Sequence, residues 1–428
     1  MLELREKTSI SKIIACHIRD YLPSPLKEVF AVARKEMHLD TPEAPDVFEF
    51  TDVVKPLGPM IEPYEPAWDD AACILYTGGT TGVSKGVQLT HGNLSSNVQQ
   101  TDAWFPHFKL GQEIVVGCLP FFHSFGMTSA MNAAIFAGYG NVLIPKPEPK
   151  AILDAIVRYK ATFIPAVPTL YNGMINFPDL KDYDISTLRG CFSGGASLPM
   201  DTIKSFQELT GTVICEGYGL TESSPITHIN PYGTSTKPGT IGLPICNTAV
   251  KLVDVDDYNK EITDPGTPGE LCIKGPQVMK GYINRPDETG QALKDGWLLT
   301  GDIATVDEEG YFTIVDRKKD MIISGGFNIY PRDIDEVLFS HPKVLEACAI
   351  GRPDAYSGER VKAFVVLKPG EEATAEEIID FCKENLAKYK VPKYVEFVDD
   401  LPKSAIGKIL RKELKRMELA AISESEGS

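Results

Sequence analysis

The sequence predicts an α/β fold: a large N-terminal domain of parallel-rich sheets with helices, a small β-rich subdomain, and a small α+β C-terminal domain. Three observations carry this. Between 87 and 216, short apolar runs alternate with stretches of helical periodicity, the pattern of a largely parallel sheet. After Pro238 the pattern changes to short strand-like runs between Gly and Pro turns. The charge run Asp316-Arg317-Lys318-Lys319-Asp320 then marks a boundary, and a compact unit of helix, two strands and helix follows it. With 428 residues the chain is long for one core. The expected division is 1–317 and 318–428.

Taken in order, residues 1–30 hold an apolar run, Ile10 to Ile18, and a helix after Pro25. Residues 39–69, rich in Pro, Asp and Glu, read as a connecting segment. Ala71–Tyr76 and Gly86–Leu89 are strands on either side of a Gly/Thr loop. Ile114–Leu119 and Asn141–Pro145 are further strands, and Ile152, Ile156 and Tyr159 fall on one helical face. The apolar segment from Gly126 to Pro145, broken by Asn132, Gly138, Gly140 and Asn141, reads as helix then strand, not a membrane span. Thr162–Val167, Gly190–Ser193 and Val213–Glu216 complete the sheet, and ligands belong at the loops that follow such strands. Val250–Val253, Glu270–Lys274 and Phe312–Val315 form the β-rich part. Beyond the charge run come a helix over 331–339, strands over 344–350 and 361–367, and a helix over 375–386 with an apolar stripe of Ile378, Cys382 and Leu386.

Composition narrows the function. Hydrophobic content of 43% and charged content of 24% are those of a soluble globular protein. The net charge of −16 argues against non-specific binding of nucleic acid or anionic lipid. A polyanionic substrate must therefore meet local positive charge. The nine cysteines include no C-x-x-C pair and mostly lie in apolar runs, so they read as buried thiols of a reducing, cytoplasmic compartment. The start, Met-Leu-Glu-Leu-Arg-Glu, is no signal peptide.

The chemistry centres on Tyr76-Thr77-Gly78-Gly79-Thr80-Thr81-Gly82-Val83-Ser84-Lys85-Gly86. Glycines let backbone N–H groups approach an anion, hydroxyls add donors, and Lys85 adds a point charge, which together suit a polyphosphate. The spacing is not that of a Walker A loop. A second motif, Glu216-Gly217-Tyr218-Gly219-Leu220-Thr221-Glu222, follows a strand, and Glu222 stands where a dinucleotide fingerprint needs its third glycine. A carboxylate beside a polyphosphate repels it unless a divalent cation bridges the two. Glu222 is thus the expected Mg²⁺ ligand, Thr221 a phosphate donor, and Tyr218 the cover of an adenine ring.

These motifs resemble those of adenylate-forming enzymes, the acyl-CoA synthetase and luciferase superfamily, and the resemblance covers nearly all of the chain, most strongly 71–415. Relatives usually carry Ser or Thr where this chain has Gly78, and the Thr-Gly-Gly-Thr-Thr-Gly form is similar to the long-chain fatty-acyl-CoA synthetase branch. The resemblance implies ATP and AMP contacts at Thr77, Gly78, Gly79, Thr80, Thr81, Gly82, Lys85, Gly195, Ala196, Glu216, Gly217, Tyr218 and Gly219. It implies ribose contacts at Asp302 and Arg317. His123 would face the substrate carboxylate and phosphate, while Phe122, Phe125, Gly126 and Gly194 would line the acyl pocket. Lys319 matches the hinge of a mobile C-terminal domain, Gly325 and Gly326 the passage for CoA, and Lys408 the lysine that binds carboxylate and α-phosphate.

The implied reaction activates a long-chain fatty acid with Mg²⁺ and ATP and passes the acyl group to CoA. An aryl- or medium-chain acid, transfer to a carrier protein, and binding without turnover are the alternatives, and peripheral membrane contact and a homodimer stay open. Against the family, roughly a hundred residues or more are expected to be missing before residue 39, the size of a small domain.

Overall fold

The computed structural model describes the chain except for Met1, 34–39, 56–61, 63, 78–83, 197, 233–234, 404–408 and 427–428. Two compact units result, residues 1–65 and 66–428. In the first, Ile13–Ala15 pairs in parallel with Val47–Glu49, and the helix expected after Pro25 spans Leu26–Ala33.

The second unit opens with a hairpin of β1 (Ala71–Thr77) and β2 (Lys85–Thr90). Helix α1 (His91–Trp104) follows, its start fixed by a reciprocal cap between Thr90 and Asn93. A seven-stranded sheet is built from β3 (Ile114–Gly117), β4 (Gly140–Leu143), β5 (Phe163–Ala166), β6 (Gly190–Ser193), β7 (Ile214–Gly219), β8 (Ile226–Ile229) and β9 (Leu243–Pro244). Its order is β9-β8-β7-β6-β5-β3-β4, parallel from β4 to β7 and antiparallel beyond. Every residue of β5 and β6 is buried, because helices α2 (Pro149–Tyr159) and α3 (Met200–Thr210) belong to the crossovers that cover such a sheet. Tyr171, Phe192, Phe206, Ile156 and Ile164 centre this core.

A second sheet is made of β10 (Ala249–Val253), β11 (Glu261–Ile262), β12 (Gly269–Lys274), β14 (Leu293–Lys294), β15 (Trp297–Val306) and β16 (Phe312–Arg317), in the order β11-β10-β12-β15-β14 with β16 on β15. The intervening β13 (Gly281–Tyr282) instead returns to pair with β2. Asn93 of α1 secures that return by donating to the carbonyls of Pro276 and Val278, 183 and 185 residues away. The last sheet holds β17 (Ile322–Ser324), β18 (Phe327–Ile329), β19 (Val344–Asp354), β20 (Gly358–Leu367) and β21 (Tyr394–Phe397). Helices α4 (Pro331–Phe339), α5 (Ala375–Asn385) and α6 (Arg411–Glu426) accompany it. Among the described residues no helix is long and apolar enough to cross a membrane.

Two expectations need correction. Tyr159 does not share the buried face of Ile152 and Ile156: it closes α2, just before Lys160 turns left-handed, and is 45% exposed. All nine cysteines are free, but Cys16 and Cys246 are exposed.

Candidate active site

The end of β7 meets β15 and β16 at one polar cluster. The Tyr218 hydroxyl donates to Asp302 Oδ2 at 2.6 Å, across 84 residues of sequence. Asp302 lies opposite Arg317 in the β15–β16 ladder, with Arg317 Nε 3.4 Å from Oδ1. Burial, reinforced by the Asp302 charge, pushes the Tyr218 phenol well above its usual range, so it stays a donor. The two glycines around Tyr218 are demanded by packing. A Cβ on Gly217 would lie 2.3 Å from the Phe192 ring, and one on Gly219 would lie 1.9 Å from the Pro225 carbonyl oxygen.

A second cluster lies where β2, β13 and the turn after β7 converge. The Tyr282 hydroxyl donates to Glu222 Oε1 at 2.9 Å, and Lys85 Nζ stands 4.8 Å from the centre of the Tyr282 ring. The backbone of Glu222 is fixed by the Met279 N–H, which donates to its carbonyl at 2.8 Å. Thr221 Oγ1 lies 3.4 Å from the buried Ser124 hydroxyl. Thr77 and Lys85 face each other at the loop end of the β1–β2 hairpin. The loop residues Gly78, Gly79, Thr80, Thr81 and Gly82 lie outside the described residues, as does Lys408. The segment carrying Lys408 is closed at its base by a bridge between Lys403 and Ile409.

Among the described residues no group of three His, Cys, Asp or Glu could hold a metal ion. Glu222 offers one carboxylate, with only Oε1 engaged by a described residue. That arrangement fits a hard divalent cation whose other ligands are substrate phosphates and water.

Glu216 is buried, and its Oε2 accepts from the Gly239 N–H at 2.8 Å. Burial pushes its carboxyl up to about 7. A carboxyl raised in this way contributes stability that is present below about 4.5 and lost as the pH rises through about 7. Glu216→Gln removes that dependence. Its stability relative to the parent, from urea unfolding, should grow by about 1 kcal/mol between pH 6 and 8.5.

The structure brings Phe125 and Gly194 together: a Cβ on Gly194 would lie 3.2 Å from the Phe125 ring. Phe125 packs edge-on against Phe192, and Gly126 sits so close to Pro120 that a Cβ would lie 2.4 Å from its carbonyl oxygen. Phe122, by contrast, is 73% exposed. His123 is half-buried and accepts from the Phe125 N–H at 3.2 Å through Nδ1. Gly195 and Ala196 are exposed after β6, with Gly195 at φ +83°. Lys319 is exposed between β16 and β17. Gly325 and Gly326 form the two-residue turn of the β17–β18 hairpin, both at positive φ, and a Cβ on either would meet open space. Tyr282 and Ser124 were not singled out from sequence. Nothing local marks them, since each is placed by a partner 60 or 97 residues away.

The family description AMP-binding enzyme matches residues 8–283, and AMP-binding enzyme C-terminal domain matches 333–408. The long-chain-fatty-acid–CoA ligase of Bacillus subtilis strain 168 is 43% identical over 420 residues, 96% of this chain and 74% of that relative. The crystal structure of ATP-bound MatB from Rhodopseudomonas palustris, 33% identical, superposes with a TM-score of 0.83 over 97% of this chain and 81% of its own. The apo form of the same protein, at the same identity and coverage, gives 0.71. With the family match spanning most of its length, and a polar site assembled where its two motifs meet, this chain belongs to the AMP-binding, adenylate-forming enzyme family.

Proposed function

We propose that this chain is an AMP-forming acid–thiol ligase that activates a long-chain fatty acid with ATP and transfers the acyl group to CoA. The observation that carries the reading is the pairing of the Tyr218–Asp302–Arg317 cluster with the Glu222–Tyr282–Lys85 cluster. The first offers an aromatic face and a carboxylate for adenosine, and the second offers a cation and a carboxylate for phosphates. High identity to the Bacillus ligase over nearly the whole chain supports the substrate class.

In the first half-reaction a carboxylate oxygen attacks the α-phosphorus, and the bond to the bridging oxygen breaks to release pyrophosphate. In the second the CoA sulfur attacks the acyl carbon, loses its proton, and AMP departs. No protein nucleophile enters either step. Asp302 and Arg317 would hold the ribose, Thr77 through Lys85 the phosphates, and Phe125, Gly126 and Gly194 the start of the acyl chain. Mg²⁺ would sit on Glu222 and offset phosphate charge. We assign the small domain to 318–428, with Lys319 as hinge, Lys408 serving the first half-reaction and Gly325-Gly326 the second. The cytoplasm is the proposed compartment.

Tyr282→Phe keeps the ring beneath Lys85 but removes the hydroxyl that orients Glu222. It should raise the Mg²⁺ concentration needed for half-maximal activity about tenfold, the effect of losing a supporting hydrogen bond to a metal ligand. Calorimetric titration of Mn²⁺ into the ATP complex would show the same weakening without turnover.

ATP–pyrophosphate exchange across a panel of fatty and aromatic acids tests the function. Exchange driven by long-chain acids, followed by AMP release on adding CoA, is the expected result. Exchange with aromatic acids alone would overturn the substrate class, and no exchange from folded protein would overturn the activity.

A further inference from the structure

Three contacts span the Lys319 position. The Arg332 backbone N–H, at the start of α4, donates to Asp316 Oδ2 at 2.8 Å. The Arg332 guanidinium donates through Nη1 to the Ile314 carbonyl. Arg411 Nη1, at the start of α6, lies 4.0 Å from Asp316 Oδ1 and 3.7 Å from Asp320 Oδ2. Asp316 is only 4% exposed, so these charges are weakly screened. Its other oxygen takes the Arg317 N–H at 2.6 Å, which aims the carboxylate at α4.

Arg411 is itself held rigidly. It bonds Asp335 of α4 through Nη2 and the Ala349 carbonyl through Nε at 3.0 Å. It stands three residues after Lys408 and directly after Leu410, whose N–H donates to Pro402 at 2.7 Å. The start of α6 is therefore tied, through Arg411, to Asp316 on the other side of residue 319.

Asp316 precedes residue 319, whereas Arg332 and Arg411 follow it. Any rotation of the later residues about that point separates the carboxylate from both arginines. The three contacts thus belong to one arrangement of the chain, and interactions confined to one of two states set the population of that state. Over the whole chain the superposition on ATP-bound MatB, with a TM-score of 0.83, is better than that on the apo form, with 0.71.

We propose that Asp316 is a positioning residue for adenylate formation: with Arg332 and Arg411 it clasps the chain across residue 319 in the arrangement that serves the first half-reaction. The proposal rests on the ligase reading above. The clasp sets how the enzyme divides its time between its half-reactions, and a neutral or shortened clasp moves the two rates apart.

The test measures both half-reactions separately in the full chain: acid-dependent pyrophosphate exchange, and thioester formation from supplied acyl-adenylate and CoA. Asp316→Asn and Arg332→Met are compared with the parent. Exchange should fall about five- to tenfold in each variant while thioester formation holds or rises, the size of a typical conformational coupling. Trypsin cleavage in the 317–319 segment, in the presence of ATP, should speed up in parallel. Arg332→Met keeps the buried carboxylate and its N–H partners, so it remains informative if Asp316→Asn unfolds. Equal loss of both half-reactions in a folded Arg332→Met protein, or no change in either, overturns the clasp. Absence of both half-reactions in the parent overturns instead the ligase reading on which the clasp depends.

Discussion

Lys408→Ala is expected to lower acid-dependent pyrophosphate exchange by about 10²–10³-fold, the usual cost of removing a donor aimed at developing charge. Thioester formation from supplied acyl-adenylate should continue at close to the parent rate. The reasoning is electrostatic. The chain carries a net charge of −16, and the described site already contains the carboxylates of Glu222 and Asp302. A carboxylate attacking an anionic α-phosphate must meet compensating positive charge at the reacting atoms. Lys85 stands over Tyr282 and Arg317 beside Asp302, so each is already committed to one flank. A lysine delivered by the 404–408 segment would supply charge at the centre. In the second half-reaction the substrate carboxylate has already lost its charge in the mixed anhydride, so this lysine is not expected to be needed. Equal loss of both half-reactions would remove this role from Lys408.

Gly219→Ala is the second large effect. A methyl group there would lie 1.9 Å from the Pro225 carbonyl oxygen and 2.6 Å from its carbon, both backbone atoms that cannot swing aside. The strain must be relieved by parting β7 from β8, the pair that carries Tyr218 on one side and leads to Glu222 on the other. Overpacking of this kind costs about 3 kcal/mol or more where backbone must move. The expected result is a lower unfolding midpoint and a loss of exchange activity beyond tenfold. Gly290→Ala provides the control: it lies in the helix Pro286–Ala292, where an added Cβ meets nothing within 4 Å. That change should leave activity intact and stabilise slightly, since alanine favours helix over glycine. Comparable damage from both changes would refute the packing argument.

The parallel sheet was legible because its strands are buried on both faces. Gly190–Ser193 and Pro331–Phe339 appear with the bounds that the sequence suggests. Local signals failed where a distant partner decides. The sequence ends this strand at Glu216, yet β7 continues to Gly219 because β8 folds back against it. Tyr282 sits in a two-residue strand too short to register by periodicity, and only its pairing with β2 brings it to Glu222. Cys246 follows an apolar run that suggests burial, but it is exposed between β9 and β10, next to the buried Ile245. Of the residues expected to line an acyl pocket, Phe125 and Gly194 meet, whereas Phe122 turns outward.

The return of β13 to β2 bears on how the protein is made. Asn93 and its partner Val278 are 185 residues apart, so at a synthesis rate of about 5–20 residues per second the hairpin waits roughly ten to forty seconds for its third strand. Over that interval the outer edge of β2 presents unpaired backbone groups, a surface that other chains can pair with. Lys85 and the carboxylate of Glu222 also lack the tyrosine that links them. Competence to hold nucleotide therefore arrives late in translation, and slower elongation over 218–282 lengthens the period in which a chaperone would be needed.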